Sequence, residues 1–143
     1  MSKPDRVPFG TLVRTAIRNR FRESRAPEAV WQGGSNLGWV RWACEDGRYF
    51  YCGIRRKNGW ITGELGIASE PLELDELKLI QALTPSAGDA FRIQLGMLLH
   101  GQEKWWSFGG TEKGLNERMD WIAQQLQMRM YSFLSSSSVP PQA

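Results

Sequence analysis

The residues in this chain that could do covalent or metal chemistry are few. His100 is the only histidine, and Cys44 and Cys52 are the only cysteines. One histidine excludes a two-histidine metal site within a single chain. The two cysteines have neither the spacing of a metal knuckle nor the number for a disulfide framework. A Cys–His couple would need a thiol within hydrogen-bond reach of His100, yet both thiols fall inside stretches that read as strands. A serine nucleophile would need His100 as its base, and no Gly-x-Ser-x-Gly elbow supplies the serine. Glu70, Glu73, Asp75 and Glu76 cluster as a solvated acidic turn does, without the spacing of a calcium loop. The "FGG" at 108–110 lacks the Lys-Ser/Thr of a phosphate loop. The expectation is a protein that is not an enzyme and that uses no metal or cofactor.

Binding chemistry is better represented. The chain holds seven tryptophans in 143 residues, and tryptophan is favoured as an interface anchor as well as a core plug. Trp105 and Trp106 are adjacent, so in an extended segment they point to opposite sides. One is expected beneath the last helix, with Trp121 a candidate neighbour, and the other on a docking surface. Arg14, Arg18 and Arg22 recur one helical turn apart, as a solvated face or as a contact for phosphate or an acidic protein. Arg55, with Arg56 and Lys57, sits at a hairpin tip. The net charge of +3 is uneven. Residues 1–25 carry seven cationic side chains against Asp5 and Glu23, so the rest of the chain is net negative.

These residues need elements to position them. Phe9, Leu12, Val13, Ala16, Ile17 and Phe21 mark the apolar side of a first helix that starts near Pro8 and ends before Pro27. "QGGSNLG" at 32–38 reads as a loop. Strands are predicted at about 37–44, 48–57 and 60–68, joined by two-residue turns at Asp46-Gly47 and Asn58-Gly59. That register pairs Trp42 with Tyr51 and Cys44 with Tyr49, and puts the two thiols on opposite faces. One face then collects Trp39, Ala43, Phe50, Cys52, Ile54, Ile61, Leu65 and Ile67 as core. The other carries Val40, Trp42, Tyr49, Tyr51, Arg55 and Trp60. It is either covered by a helix or open as an aromatic stacking platform.

Residues 70–83 read as a short acidic helix with Leu74, Leu77 and Leu83 inward, the alternative being an extended edge with Leu72 and Leu74 inward. Residues 84–89 read as a loop. "FRIQLGMLL" at 91–99 alternates as a strand does. A final helix spans about Glu112 to Leu134, with Thr111 as its N-cap and Leu115, Met119, Ile122, Leu126, Met130 and Phe133 as its stripe. The predicted fold is α+β: a three-stranded antiparallel meander plus at least one further strand, packed with an N-terminal and a long C-terminal helix. Residues 1–134 are expected to form one domain, and 135–143 a disordered Ser/Pro tail.

A resemblance rests on Arg92, Leu95, Gly96 and Leu98, followed by Trp105-Trp106 and a long closing helix. "GWITGELGI" at 59–67 adds a strand ending on a similar Leu-Gly-aliphatic step. Together these segments, about half the chain, resemble small uncharacterised bacterial α+β domains of immunity or interaction type. The resemblance implies a fold and partner binding, and no reaction. No apolar run approaches the ~20 residues of a membrane span, and no secretory signal is read, so the expected compartment is the cytoplasm. The expected function is protein binding, as the immunity or regulatory partner of a bacterial effector. The partner-binding residues would be Trp105, Trp106, Trp42, Tyr51, Trp60, Arg14, Arg18, Arg22 and Arg55. The alternative is nucleic-acid binding through the arginine helix and the aromatic face, and a homodimer through that face is a further option.

Overall fold

The computed structural model describes residues 7–82 and 88–136. Helix α1 (Phe9–Arg20) buries Phe9, Val13, Ala16 and Ile17, with Phe21 joining them just past its end. A 3-10 turn at Arg22–Arg25 follows, tied back by Ser24 Oγ donating to the Phe21 carbonyl at 2.7 Å. Arg22 therefore lies beyond α1, and the arginine stripe on the helix itself is Arg14 and Arg18.

Seven strands form one sheet among the described residues: β1 (Val30–Gly33), β2 (Leu37–Ala43), β3 (Tyr49–Lys57), β4 (Trp60–Ala68), β5 (Lys78–Ile80), β6 (Ala90–Gln94) and β7 (Trp106–Ser107). Their order is β1-β2-β3-β4-β6-β5, all antiparallel except β5 beside β6. β7 pairs with Trp60 and Ile61 at the start of β4, and β6 pairs with its end, Glu64 to Ala68. The region read as a loop at 32–38 holds the end of β1 and the start of β2, a hairpin closed by Gly34 N–H donating to the Leu37 carbonyl at 2.8 Å.

The turn at Asn58-Gly59 has two residues, as expected: Lys57 pairs with Trp60, and Asn58 takes a φ of 55°. The turn at Asp46-Gly47 is one residue longer. Cys44 N–H donates to the Arg48 carbonyl at 2.7 Å, and Gly47 (φ 87°) donates to the Cys44 carbonyl at 3.1 Å. This is a three-residue loop closed by a left-handed glycine. Asp46 braces it by accepting from the Arg48 backbone N–H at 3.0 Å and side-chain Nε at 2.7 Å. The extra residue moves β2 by one position: Trp42 pairs with Phe50, and Arg41 with Tyr51. A one-residue slip turns a whole strand over, so Val40 and Trp42 enter the main core while Trp39 faces the other side. Cys44 and Cys52 thus pack on the same core, not on opposite faces. They remain free thiols. Cys52 lies opposite Val40, and Cys44 is four positions further along from Val40, roughly 13 Å along a strand.

The alternating run at 91–99 is a strand only to Gln94. Leu95–His100 forms a short helix, α2, closed by Gly101 at φ 72°. A short apolar run suits either periodicity, and here packing decides. The chain after α2 doubles back over the sheet, where Thr62 Oγ1 donates to the Lys104 carbonyl at 2.9 Å and Gln94 Oε1 accepts from the Lys104 N–H. Gly96 makes room for it: a Cβ there would lie 2.5 Å from Lys104 N and 2.6 Å from Gln102 O. Gly→Ala inside a helix ordinarily gains about 1 kcal/mol. Gly96→Ala is expected to do the reverse, losing about 2 kcal/mol through overpacking, read as a lower urea midpoint.

Residues 70–80 contain no α-helix. An extended run leads to a 3-10 turn at Leu74–Glu76 with a Glu73/Glu76 capping box, and then to the edge strand β5. Leu74 and Leu77 are buried as expected, whereas Leu83 lies outside the described residues. Helix α3 (Glu112–Ser136) buries all six stripe residues, and Thr111 caps it by accepting from Gly114 N–H at 3.0 Å. Ser135 and Ser136 belong to α3, and the rest of the predicted tail lies outside the described residues.

The architecture is α+β. Helices α1 and α3 cover one face of the sheet. Gly63 lets α3 sit close, its missing Cβ occupied by Ile122 and Leu126 side chains. The other face is covered by the 70–77 and 102–105 segments, not by a helix. Among the described residues no helix is long and apolar enough to cross a membrane.

Candidate functional site: Trp60 and Trp105 at one end of the sheet

Three of the nine candidate residues are core. Trp42 packs against Phe21 and Phe50, with ring centroids 5.8 and 4.8 Å away. Tyr51 is fully buried, its hydroxyl donating to the Leu72 carbonyl at 2.6 Å and accepting from the Leu72 N–H at 2.9 Å. Burial raises its pKa above the usual phenol value, and the bond to Leu72 only partly offsets this. Trp106 lies beneath α3, edge-on to Trp121 at 5.3 Å. These three present no docking surface, and no open stacking platform exists on the described sheet.

Arg55 is already engaged. It donates through Nε to Glu64 at 2.8 Å and through a terminal nitrogen to Asp75 at 2.6 Å. Glu64, 3% exposed, also accepts from Arg92, whose Nε reaches the Leu77 carbonyl at 3.1 Å. Burial works to lower the pKa of Arg55, but the bonds and charges of Glu64 and Asp75 outweigh it and raise it. The cluster fastens the 70–77 segment to the sheet.

Trp60 and Trp105 remain. Trp60 is 51% exposed at the start of β4. Pairing of Trp60 with Ser107 and of Ile61 with Trp106 puts Trp60 and, by alternation, Trp105 on the same side of the sheet. Trp105 is half-buried, with Nε1 3.4 Å from a Glu103 carboxylate oxygen. Lys57, opposite Trp60, adds charge at this rim. The expected split of the tryptophan pair is what the strand geometry produces, and the pairing of Trp106 with Ile61 makes Trp106 the inward ring and Trp105 the outward one.

No protein-family model, curated protein or solved structure matches this chain. Arg14, Arg18 and Arg22 are exposed. Arg14 stacks its guanidinium over Trp31 at 5.2 Å, while Arg18 and Arg22 make no ion pair among the described residues. Among the described residues, no three His, Cys, Asp or Glu side chains stand together as metal ligands. His100 is exposed at the end of α2. Burial raises the pKa of Cys52, and burial followed by the charge of Asp46 raises that of Cys44. Both thiols are thereby held in their less nucleophilic form.

One feature at the opposite end of the sheet corresponds to no motif in the sequence. A groove of about 660 Å³ opens where the β2–β3 loop, the 3-10 turn after α1 and the end of α3 meet. Its lining comes from three distant stretches, 23–28, 42–48 and 130–135, and no local pattern joins them.

Proposed function

We propose that this chain is a non-catalytic protein-binding module, an immunity or regulatory partner of a bacterial effector working in the cytoplasm, that docks through Trp60 and Trp105. The supporting observation is Trp60: a large aromatic ring half in water at the start of β4, next to a tight two-residue turn. Such a ring is pre-positioned, so little conformational freedom is lost when a partner buries it. Trp105 extends the same side, and tryptophan is among the residues that most often dominate interface energy. The test is a tagged pull-down from the native host, divided into nuclease-treated and untreated halves. One stoichiometric protein should survive nuclease and be lost with Trp60→Ala/Trp105→Ala, whose fold and thermal melt stay near wild type. Retention of the partner by that variant would overturn the assignment.

A second reading, nucleic-acid binding, is favoured by the exposed Arg14, Arg18 and Arg22. It requires affinity that falls steeply with salt, because counterion release drives it. Material that leaves the pull-down with nuclease would support this reading.

A further inference from the structure

The groove at the far end of the sheet combines an apolar floor with a mainly acidic rim. Its floor and wall include Trp42, Cys44, Met130 and Leu134, and Tyr131 stands beside them, 65% exposed. Its rim carries Glu23, Glu28, Glu45 and Asp46 against the single cation Arg48. Arg48 is held by Asp46 at 2.7 Å, whereas Glu23, Glu28 and Glu45 take part in no ion pair among the described residues. About 660 Å³ falls in the range of real binding clefts.

From this geometry we infer that the groove receives a cationic, amphipathic segment of a partner protein, apolar side chains on the floor and Lys or Arg at the rim. Glu23, Glu28 and Glu45 line the groove outside any ion pair among the described residues, so a cationic occupant would find three carboxylates to pair with. Charge of the same sign excludes a nucleic-acid backbone. A second copy of this chain is a poorer fit: its basic side chains Arg14 and Arg18 project from a helix whose apolar face is already buried. The site is separate from the tryptophan surface. β3 begins at the groove and ends at the turn before Trp60, so roughly 25 Å of strand lies between them.

Three labelled peptides test it: a short amphipathic leucine–lysine peptide, the same peptide with glutamate for every lysine, and the same with serine for every leucine. Fluorescence anisotropy should show saturable binding of the first and at least about tenfold weaker binding of the other two. Glu23→Gln/Glu28→Gln/Glu45→Gln should weaken the first peptide about tenfold, a few-fold per exposed charge. Tyr131→Ala should weaken it a few-fold, and Trp60→Ala/Trp105→Ala should leave it unchanged. Cys52 is fully buried, so alkylation reports on Cys44, which saturating peptide should protect.

No binding of the leucine–lysine peptide, full affinity in the triple variant, or unprotected Cys44 would each overturn the inference. So would a dimer in sedimentation that the triple variant dissolves, which would give the groove to a second copy. Should the triple variant melt early, the salt dependence of wild-type binding reads the same charge term, and salt-independent binding counts against the site. Failure here leaves the tryptophan surface untouched, because its own variants are read against a different partner.

Discussion

Glu64→Leu is expected to lower the unfolding free energy by about 3 kcal/mol, because breaking a buried ion cluster strands its remaining charges. Among the described residues, Glu64 is the only carboxylate that both Arg55 and Arg92 contact. Leucine matches its bulk but leaves two guanidinium groups side by side beneath the 70–77 segment. Arg55 keeps Asp75, and Arg92 keeps the Leu77 carbonyl, so the loss sits at the lower end of what a buried pair costs. Glu64→Gln retains one acceptor oxygen and should lose less. Urea unfolding reads the change as a lower midpoint with an unchanged slope. A midpoint within error of wild type would mean that water replaces the carboxylate without penalty and that the cluster does not hold the segment down.

The tryptophan pair carries the second large effect, in the form of a contrast. Trp106→Ala should cost about 3 kcal/mol, as large aromatic truncations in cores do, because it empties the space beside Trp121 and leaves Ile61 without its strand partner's ring. Trp105→Ala removes a half-buried ring whose indole nitrogen reaches no further than the neighbouring Glu103, and should cost less than about 1 kcal/mol. The measurement is the same urea series on both variants. Equal losses would mean that Trp105 is packed as firmly as Trp106, and the docking role proposed for it would fall with that result. The small expected stability cost is what makes Trp105 usable as a binding probe.

Features written in local pattern are legible in the amino-acid sequence. Helix α1 and helix α3 follow from apolar side chains repeating at three- and four-residue steps, and α3 buries all of its stripe while α1 buries all but Leu12. The Asn58-Gly59 turn follows from two residues that tolerate positive φ. The opposed directions of Trp105 and Trp106 need only the two-residue period of an extended chain.

Where expectation and structure part, the deciding contact is distant or differs by a single residue. One extra residue in the Cys44–Arg48 loop turns β2 over, so that Trp42 joins the main core and Trp39 packs on the other side. Leu95–His100 curls into a helix because the chain at Gln102–Lys104 returns across Gly96, a contact that the apolar alternation of 91–99 does not register. The 70–77 segment forms an extended run and a single 3-10 turn instead of an α-helix, with Tyr51 and Arg41 holding the Leu72 backbone and Arg92 the Leu77 carbonyl.

The sequence by itself determined the fold class, the two long helices, the meander and the opposed directions of Trp105 and Trp106, because each depends on interactions within a few residues of itself. Only the tertiary structure decided which aromatic rings are buried and that Arg55 is tied to Glu64. It alone brought Glu23, Glu28, Glu45 and Tyr131 around one groove. Those outcomes depend on segments up to a hundred or more residues apart meeting in space, as Arg20 and Asp120 do at 2.9 Å.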